Sequence, residues 1–255
     1  MTELERASSF EEALRERVAD EVIPLPFGSA ILTPSLGRVW DLNLLRVDRA
    51  GVTAEGLAAE ADRIMGEAGL AHRRVVTFDE SLAPEFEALG WEPGRFLFML
   101  HRGAGERRGD VALVEEVERD VLLSIREAMV REAPWADDEE TVRQILAAQA
   151  RGAVAGRSRH FAVVVEGAVA SAADLFSDGR TAQVEDVVTQ PEHRGRGYAS
   201  AVVLHAVGEA LREGHDFVFL MADAEDWPKE LYARLGFEAI GHKWTFLRKL
   251  LNEVP

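Results

Sequence analysis

Residues 187–199 read Val-Val-Thr-Gln-Pro-Glu-His-Arg-Gly-Arg-Gly-Tyr-Ala. An apolar strand runs into a glycine turn, and the turn runs into a helix that continues to about residue 213. The helix must cross the face of a sheet, and the next apolar run, residues 217–222, then lies beside the first strand by a right-handed crossover. The first amides of such a helix have no partner within it, so the turn offers a seat for a phosphate or pyrophosphate. Gly195 and Gly197 carry no Cβ and let the backbone come close to a ligand, while Arg194 and Arg196 add cationic donors. Two familiar phosphate motifs do not fit. No Gly-Lys-Ser/Thr follows the turn, and Ser200 breaks the third position of the dinucleotide fingerprint.

The rest of the chain has room for a second unit. At 255 residues it holds one large domain or two small ones, and 47% apolar with 29% charged residues is an ordinary globular balance. There is no cysteine, which excludes disulfides, thiolate metal sites and a cysteine acyl-enzyme. The N-terminus is acidic and no apolar run reaches the length of a membrane span, so the expectation is a cytoplasmic protein without membrane contact. The net charge of −16 divides into −7 over residues 1–105 and −9 over residues 106–255. That balance disfavours nucleic acid, whose affinity rests on cationic contacts; it reads first as a solubility charge, and it would also attract a cationic substrate.

Periodicity predicts a helix near the start, with a capping-box spacing at Ser9 and Glu12 and an end at Pro24 and Pro26. Strands follow near 29–33 and 38–46, a helix over 53–68, a strand at 73–78, a short helix at 82–89 and a strand at 96–101. Residues 102–110 have linker composition. A new series then begins, with a strand at 111–117, helices at 120–131 and 137–153, and strands at 158–166, 168–176 and 182–190. After the long helix and the strand at 217–222 come a short helix at 229–235 and a last strand at 237–247. Leu89-Gly90-Trp91-Glu92 and Leu235-Gly236-Phe237-Glu238 each end a short helix and open a strand, with Phe86 standing where Tyr232 stands. This faint repeat divides the chain into an N-terminal unit, residues 1–105, and a second unit, residues 106–255.

The second motif, Leu231-Tyr232-Ala233-Arg234-Leu235-Gly236-Phe237, lies 38 residues beyond Arg194. Tyr232 is thereby placed near the mouth between two parallel strands, where α/β ligands bind, and its phenol can donate a proton. Strand, Arg194-x-x-Gly197-x-Ala199, helix, strand and Leu231-Tyr232-x-x-Leu235-Gly236-Phe237 together resemble the GNAT superfamily of acyl-CoA N-acyltransferases over roughly residues 111–250. The resemblance implies a mixed, mostly antiparallel α/β (α+β) sheet flanked by helices, in two tandem GNAT-like units. It implies acetyl-CoA as co-substrate, with Val187, Val188 and Thr189 against the pantetheine arm. Arg194, Gly195, Arg196, Gly197, Tyr198, Ala199 and Ser200 would hold the pyrophosphate. Tyr232 matches the general acid of the family, and Glu185 stands where some members place a base. Asp186, by strand alternation, is expected on the other face.

A base matters more for some acceptors than others. A lysine-like amine costs about 4.6 kcal/mol to deprotonate at pH 7, an α-amine only about 1.4 kcal/mol. Glu225 occupies the place of a frequent family asparagine and cannot donate a hydrogen bond; Asp226 is a candidate helix cap beside Pro228. The first half lacks an Arg-x-x-Gly-x-Ala turn, and Phe86 has no proton to give, so it is expected to bind no CoA. His193 flanks the turn; Trp135, Trp227 and Trp244 are candidates for a substrate pocket. The acids at 137–140 could meet a cationic acceptor. The histidine spacing supports no metal site. The expected activity is acetyl transfer from acetyl-CoA to a primary amine of a small molecule or peptide, by a monomer or homodimer. Alternatives are a non-catalytic acyl-CoA sensor or scaffold, and a specialised transferase of the mycothiol-synthase or antibiotic-modifying type.

Overall fold

The computed structural model describes residues 1–250 except 104, 107, 108, 134, 135 and 137. The first half runs α1 (Glu3–Val18), β1 (Glu21–Leu25), β2 (Gly28–Leu32), β3 (Leu44–Val47), α2 (Ala54–Glu67), β4 (His72–Thr77), α3 (Ala83–Ala88) and β5 (Glu92–His101). The second runs β6 (Val114–Val117), α4 (Leu123–Glu132), α5 (Glu139–Ala155), β7 (Arg159–Val165), β8 (Ala168–Ser177), β9 (Thr181–Thr189), α6 (Tyr198–Arg212), β10 (Phe217–Asp223), α7 (Pro228–Arg234) and β11 (Phe237–Lys249). From α1 and from α5 onward the two halves repeat one order: helix, three strands, helix, strand, helix, strand.

All eleven strands join one sheet in the order β1-β2-β3-β4-β11-β5-β10-β9-β8-β7-β6. It is mostly antiparallel; β3 pairs β4 and β9 pairs β10 in parallel, each pair joined through a helix. Apart from β6 at one edge, the order is symmetric about the β11–β5 pair, and the last strand of each half has crossed over. β11 lies beside β4 of the first half, β5 lies beside β10 of the second, and the two exchanged strands pair with each other from Phe237↔His101 to Leu247↔Glu92.

Alternation along the strands makes two faces. On one, Met99, Val184, Val218 and Leu220 pack under α6 and α7 with Ala201, Val202 and Tyr232. The same face in the first half buries Leu45, Val75, Leu57, Ile64 and Phe86 under α2 and α3. On the other face, Ala7 and Phe10 of α1 pack on Phe98, Leu100, Phe217 and Phe219. There too Leu122 and Ile125, at and in the first turn of α4, cover Ala162, Val169 and Ala172.

Several local expectations shift. The capping box of α1 is Thr2 with Glu5 rather than Ser9 with Glu12, and the helix ends at Val18. Residues 21–25 form β1 instead of a helix end. Pro24 is tolerated there because β1 is the outermost strand. The strand expected at 38–46 shrinks to Leu44–Val47. Before it, the loop wraps the fully buried Asn43, whose amide takes Thr33 N–H at 2.7 Å and donates to Val39 O at 3.1 Å. Of the expected linker, Arg102 and Gly105 are held against the second half. Arg102 N–H donates to Gly236 O at 2.8 Å, and a Cβ on Gly105 would sit 2.3 Å from the Leu235 carbonyl carbon.

Candidate active site

β9 and β10 pair from Thr181/Phe217 only as far as Val184/Leu220, yet β9 continues to Thr189 and β10 to Asp223. Beyond that point β10 stays paired with β5, through Asp223↔Phe96, and β9 stays paired with β8, through Thr189↔Ser171. Each strand follows its outer neighbour, so a wedge opens between them. A bulge at Asp186 shapes the wedge. From Ala172↔Val188 to Asp174↔Glu185, β8 advances two residues and β9 three, and Asp186 takes a left-handed φ of 51°.

The extra residue reverses which backbone groups face inward. Thr181 O accepts from Asp178 N–H on the β8 side, whereas past the bulge Gln190 N–H donates to Ala170 O on that same side. Even-numbered residues therefore face β8 after the bulge, and Val188 O is taken by the Ser171 hydroxyl at 2.8 Å. Val187 and Thr189 turn their backbone groups to the wedge. Of the three residues expected against the pantetheine arm, Val188 is directed to β8 instead.

At the wedge end stands the N-terminus of α6. Gly197 is its N-cap at φ 81°, and no side chain caps the first amides. This conformation explains the glycine, since a residue with Cβ is strained there. Gly195, at φ 77°, has open space where a Cβ would project. Arg196 is exposed and makes no hydrogen bond or ion pair among the described residues. Arg194 reaches Thr189 O at 3.3 Å and Glu132 at 3.6 Å. Ser200 is buried, Tyr198 and Ala199 are half-buried, and the half-buried His193 leaves Nδ1 without a partner. Amides and an Arg196 guanidinium that have no partner among the described residues, at a helix end without a side-chain cap, are a donor set that fits a pyrophosphate.

Tyr232 lies on α7, 9% exposed, with its ring edge-on to Phe237. Its hydroxyl has no hydrogen-bond partner among the described residues. Burial, then the charges of Glu185 and Asp226, push its pKa up to about 12. Glu185 is pushed up to about 8, first by burial and then by Asp186 and Glu11. Gln183 donates to the Glu185 carboxylate.

Asp186 corrects the alternation expectation. Rather than facing away, it lies on the same face as Glu185, because the left-handed bulge adds a residue and aims it at Arg126, Asp174 and His160. Burial raises its pKa against the pull of Arg126.

Sequence reasoning missed Glu11, Arg126, Gln149 and Lys243. Lys243, 2% exposed, hydrogen-bonds Glu11 across the chain, and burial lowers its pKa to about 8. A lysine inside the apolar 237–247 run was the one available signal.

Other candidates lie elsewhere or are already engaged. Glu225 pairs with Arg95 at 2.7 Å. Asp226 does not cap α7; its N-cap is Trp227, with Pro228 in the first turn, and Asp226 instead accepts from Trp227 N–H. Trp227 is 63% exposed at that helix end. Trp244 stacks on Phe246 in the first-half core rather than lining the wedge. Of the acids at 137–140, Asp138 caps α5 and pairs with Arg38, Glu139 pairs with Arg131, and Glu140 pairs with Arg143. They are neutralised rather than free for an acceptor. Trp135 and Asp137 lie outside the described residues.

The equivalent place in the first half is filled. β3 stays paired to its last residue, Val47↔Thr77, so no wedge opens. At the N-terminus of α2, Gly56 N–H donates to the Thr53 hydroxyl at 3.2 Å and Ala54 N–H to the Glu85 carboxylate at 3.1 Å. Phe86 is fully buried and stacked 4.2 Å from Phe246. A built-in carboxylate occupies the seat that the second half leaves open.

A cavity of about 340 Å³ lies between α1 and the β8–β9 turn, at the far end of β9 from the wedge. Its lining carries no group suited to acyl transfer, so chemistry rather than volume locates the site. No cluster of metal-ligating side chains occurs among the described residues. No helix among them is long and apolar enough to cross a membrane.

The site is thus a parallel pair that parts beside an uncapped helix end, with the buried Tyr232 on the helix that follows β10. Residues 122–237 match the acetyltransferase (GNAT) family. The fold is similar to a GCN5-related N-acetyltransferase from Kribbella flavida, at 17% identity over 98% of this chain and 96% of that one, with a TM-score of 0.65. A functionally unknown conserved protein from Staphylococcus epidermidis is similar at 14% identity, over 91% of this chain and 95% of that one, with a TM-score of 0.68. A tandem GNAT protein from the clavulanic acid biosynthesis pathway is similar at 17% identity, over 82% of this chain and 75% of that one, with a TM-score of 0.52. No curated protein matches the chain.

Proposed function

We propose that the chain transfers an acetyl group from acetyl-CoA directly to a primary amine of a small molecule or peptide. The observation that carries this reading is the wedge: β9 and β10 stop pairing at Val184/Leu220 and lead to the uncapped first turn of α6. Val187 and Thr189 would hold the pantetheine arm by backbone hydrogen bonds. The amides from Gly195 to Ser200, with Arg196, would hold the pyrophosphate. Acetyl-CoA supplies the activated acyl group as a thioester. Holding that thioester and the amine in attack geometry accounts for roughly 7–11 kcal/mol of barrier lowering. Glu185 takes a proton from the acceptor, and Tyr232, kept protonated by its raised pKa, gives one to the departing thiolate. A thiol-release screen with acetyl-CoA against amines, aminoglycosides and peptide N-termini tests the reading; no CoA release with any acceptor, despite CoA binding, would favour a sensor instead.

Three further outcomes are expected. CoA titrated into the full chain binds with a stoichiometry of one, because Thr53 and Glu85 fill the first-half seat; two equivalent sites by calorimetry contradict this. Glu185 must be ionised to act as a base, so kcat/KM rises as pH passes through about 8. Glu185→Gln removes that limb and leaves only the one set by the acceptor amine. The same shift has a stability signature. A carboxyl whose pKa is raised on folding loses stability as pH climbs from its unfolded value, about 4.5, to its folded value. Glu185→Gln therefore raises Tm more at pH 8 than at pH 4.5, and equal shifts at both would remove the burial argument.

A further inference from the structure

We propose that Arg126 is a positioning residue for acyl transfer: by gripping the carbonyl of Asp186 it holds the β9 bulge that turns Val187 and Thr189 into the wedge. The inference rests on the proposed reading of the wedge as the acyl-carrying cleft. Arg126 comes from α4, on the sheet face opposite α6 and α7. Its Nη1 donates to Asp186 O and its Nη2 to Asp174 Oδ1 at 2.8 Å. His160 Nδ1 lies 2.9 Å from the same Asp174 oxygen, with the Ser158 hydroxyl 3.4 Å from that ring nitrogen. Arg126 and Asp174 are each 5% exposed and His160 9%, so the grip is desolvated on all sides.

The geometry separates anchoring from positioning. One bond to Asp174 would tie α4 to β8. The second donor instead meets a carbonyl at the point where β9 changes which neighbour its backbone faces, so neither the β8 nor the β10 ladder has a regular place for it. A guanidinium presents its donors in a fixed fork, which spans a carboxylate and a carbonyl at once. Asp186 holds φ 51° without being glycine, a conformation that persists only where its surroundings enforce it. Without the bulge, residues 187–189 would exchange faces. Val187 would leave the α6–α7 core it now joins, Val188 would leave the α4 cluster, and the backbone groups lining the wedge would turn to β8.

Removing Arg126 alone strands a buried Asp174, so the test is the double variant Arg126→Met/Asp174→Asn, which leaves neither charge. Its β8–β9 register is read by crystallography or by nuclear Overhauser contacts between Ser171 and Thr189. The expected result is a folded protein with the bulge lost or averaged and kcat lowered about 100-fold, as a displacement of about 1 Å at a reacting centre produces. Adding Asp186→Gly, which relieves the left-handed strain, restores at least about fivefold of that loss. A retained bulge, or kcat within about threefold of the parent, overturns the proposal. Should the double variant not fold, Arg126→Lys, which keeps a charge for Asp174 but lacks the fork, is judged by the same register and kcat criteria. If the parent chain acetylates no amine, the reading of the wedge fails, while the register comparison still decides whether Arg126 holds the bulge.

Discussion

Tyr232→Phe is expected to lower acetyl transfer by two to four orders of magnitude while changing acetyl-CoA affinity less than about threefold, as loss of a general acid does. The phenol makes no structural hydrogen bond among the described residues, so its removal leaves no buried donor or acceptor unsatisfied. The ring stays packed against Phe237 and the helix core, and phenylalanine keeps that packing. The first half shows the substitution in place: Phe86 fills the matching position of α3 and is completely buried. A pKa near 12 keeps the hydroxyl protonated across the working range, which an acid needs and a base does not. Single-turnover rates beside equilibrium binding of acetyl-CoA separate the two quantities. Unchanged turnover in the variant removes Tyr232 from the chemistry.

What the sequence disclosed was local. The 194–199 turn, the crossover helix and the Tyr232 helix each have their signal within a dozen residues, and all three form where expected. The Asp186 bulge does not announce itself, because a bulge is a relation between two strands; two consecutive acids in an apolar strand were its only trace. Acids 138–140 illustrate the same limit in electrostatics. Arg38 is distant in the chain, and only folding reveals that it consumes the charge of Asp138. The repeat at Leu89-Gly90 and Leu235-Gly236 correctly marks two similar junctions, with Gly90 and Gly236 both at positive φ. It cannot say which sheet edge the following strand joins. Residues 92–101 and 237–249 are equally apolar and equally able to close either half; the choice is made by competition between edges.

That exchange makes the halves inseparable, and a chain starting at residue 106 is expected to be insoluble or below about 1% of parent activity. Removing residues 1–105 strips β10 of its partner from Phe96 to Leu100 and strips β11 of both neighbours, β4 and β5. One edge of β10 and both edges of β11 would then be open to pairing with other chains. Phe10, Phe98, Met99 and Leu100 are buried against the second half. At about 1.5–3 kcal/mol for each large side chain, their loss is worth roughly 6–12 kcal/mol, comparable with the whole stability of a domain. Lys243 would also lose Glu11, its buried counter-ion, and one wall of the Glu185 environment with it. Co-expressing residues 1–105 with residues 106–255 supplies the missing strands in trans and is expected to recover a soluble complex with activity. A soluble, monomeric 106–255 fragment turning over at the rate of the full chain would show that the wedge needs nothing from the first half.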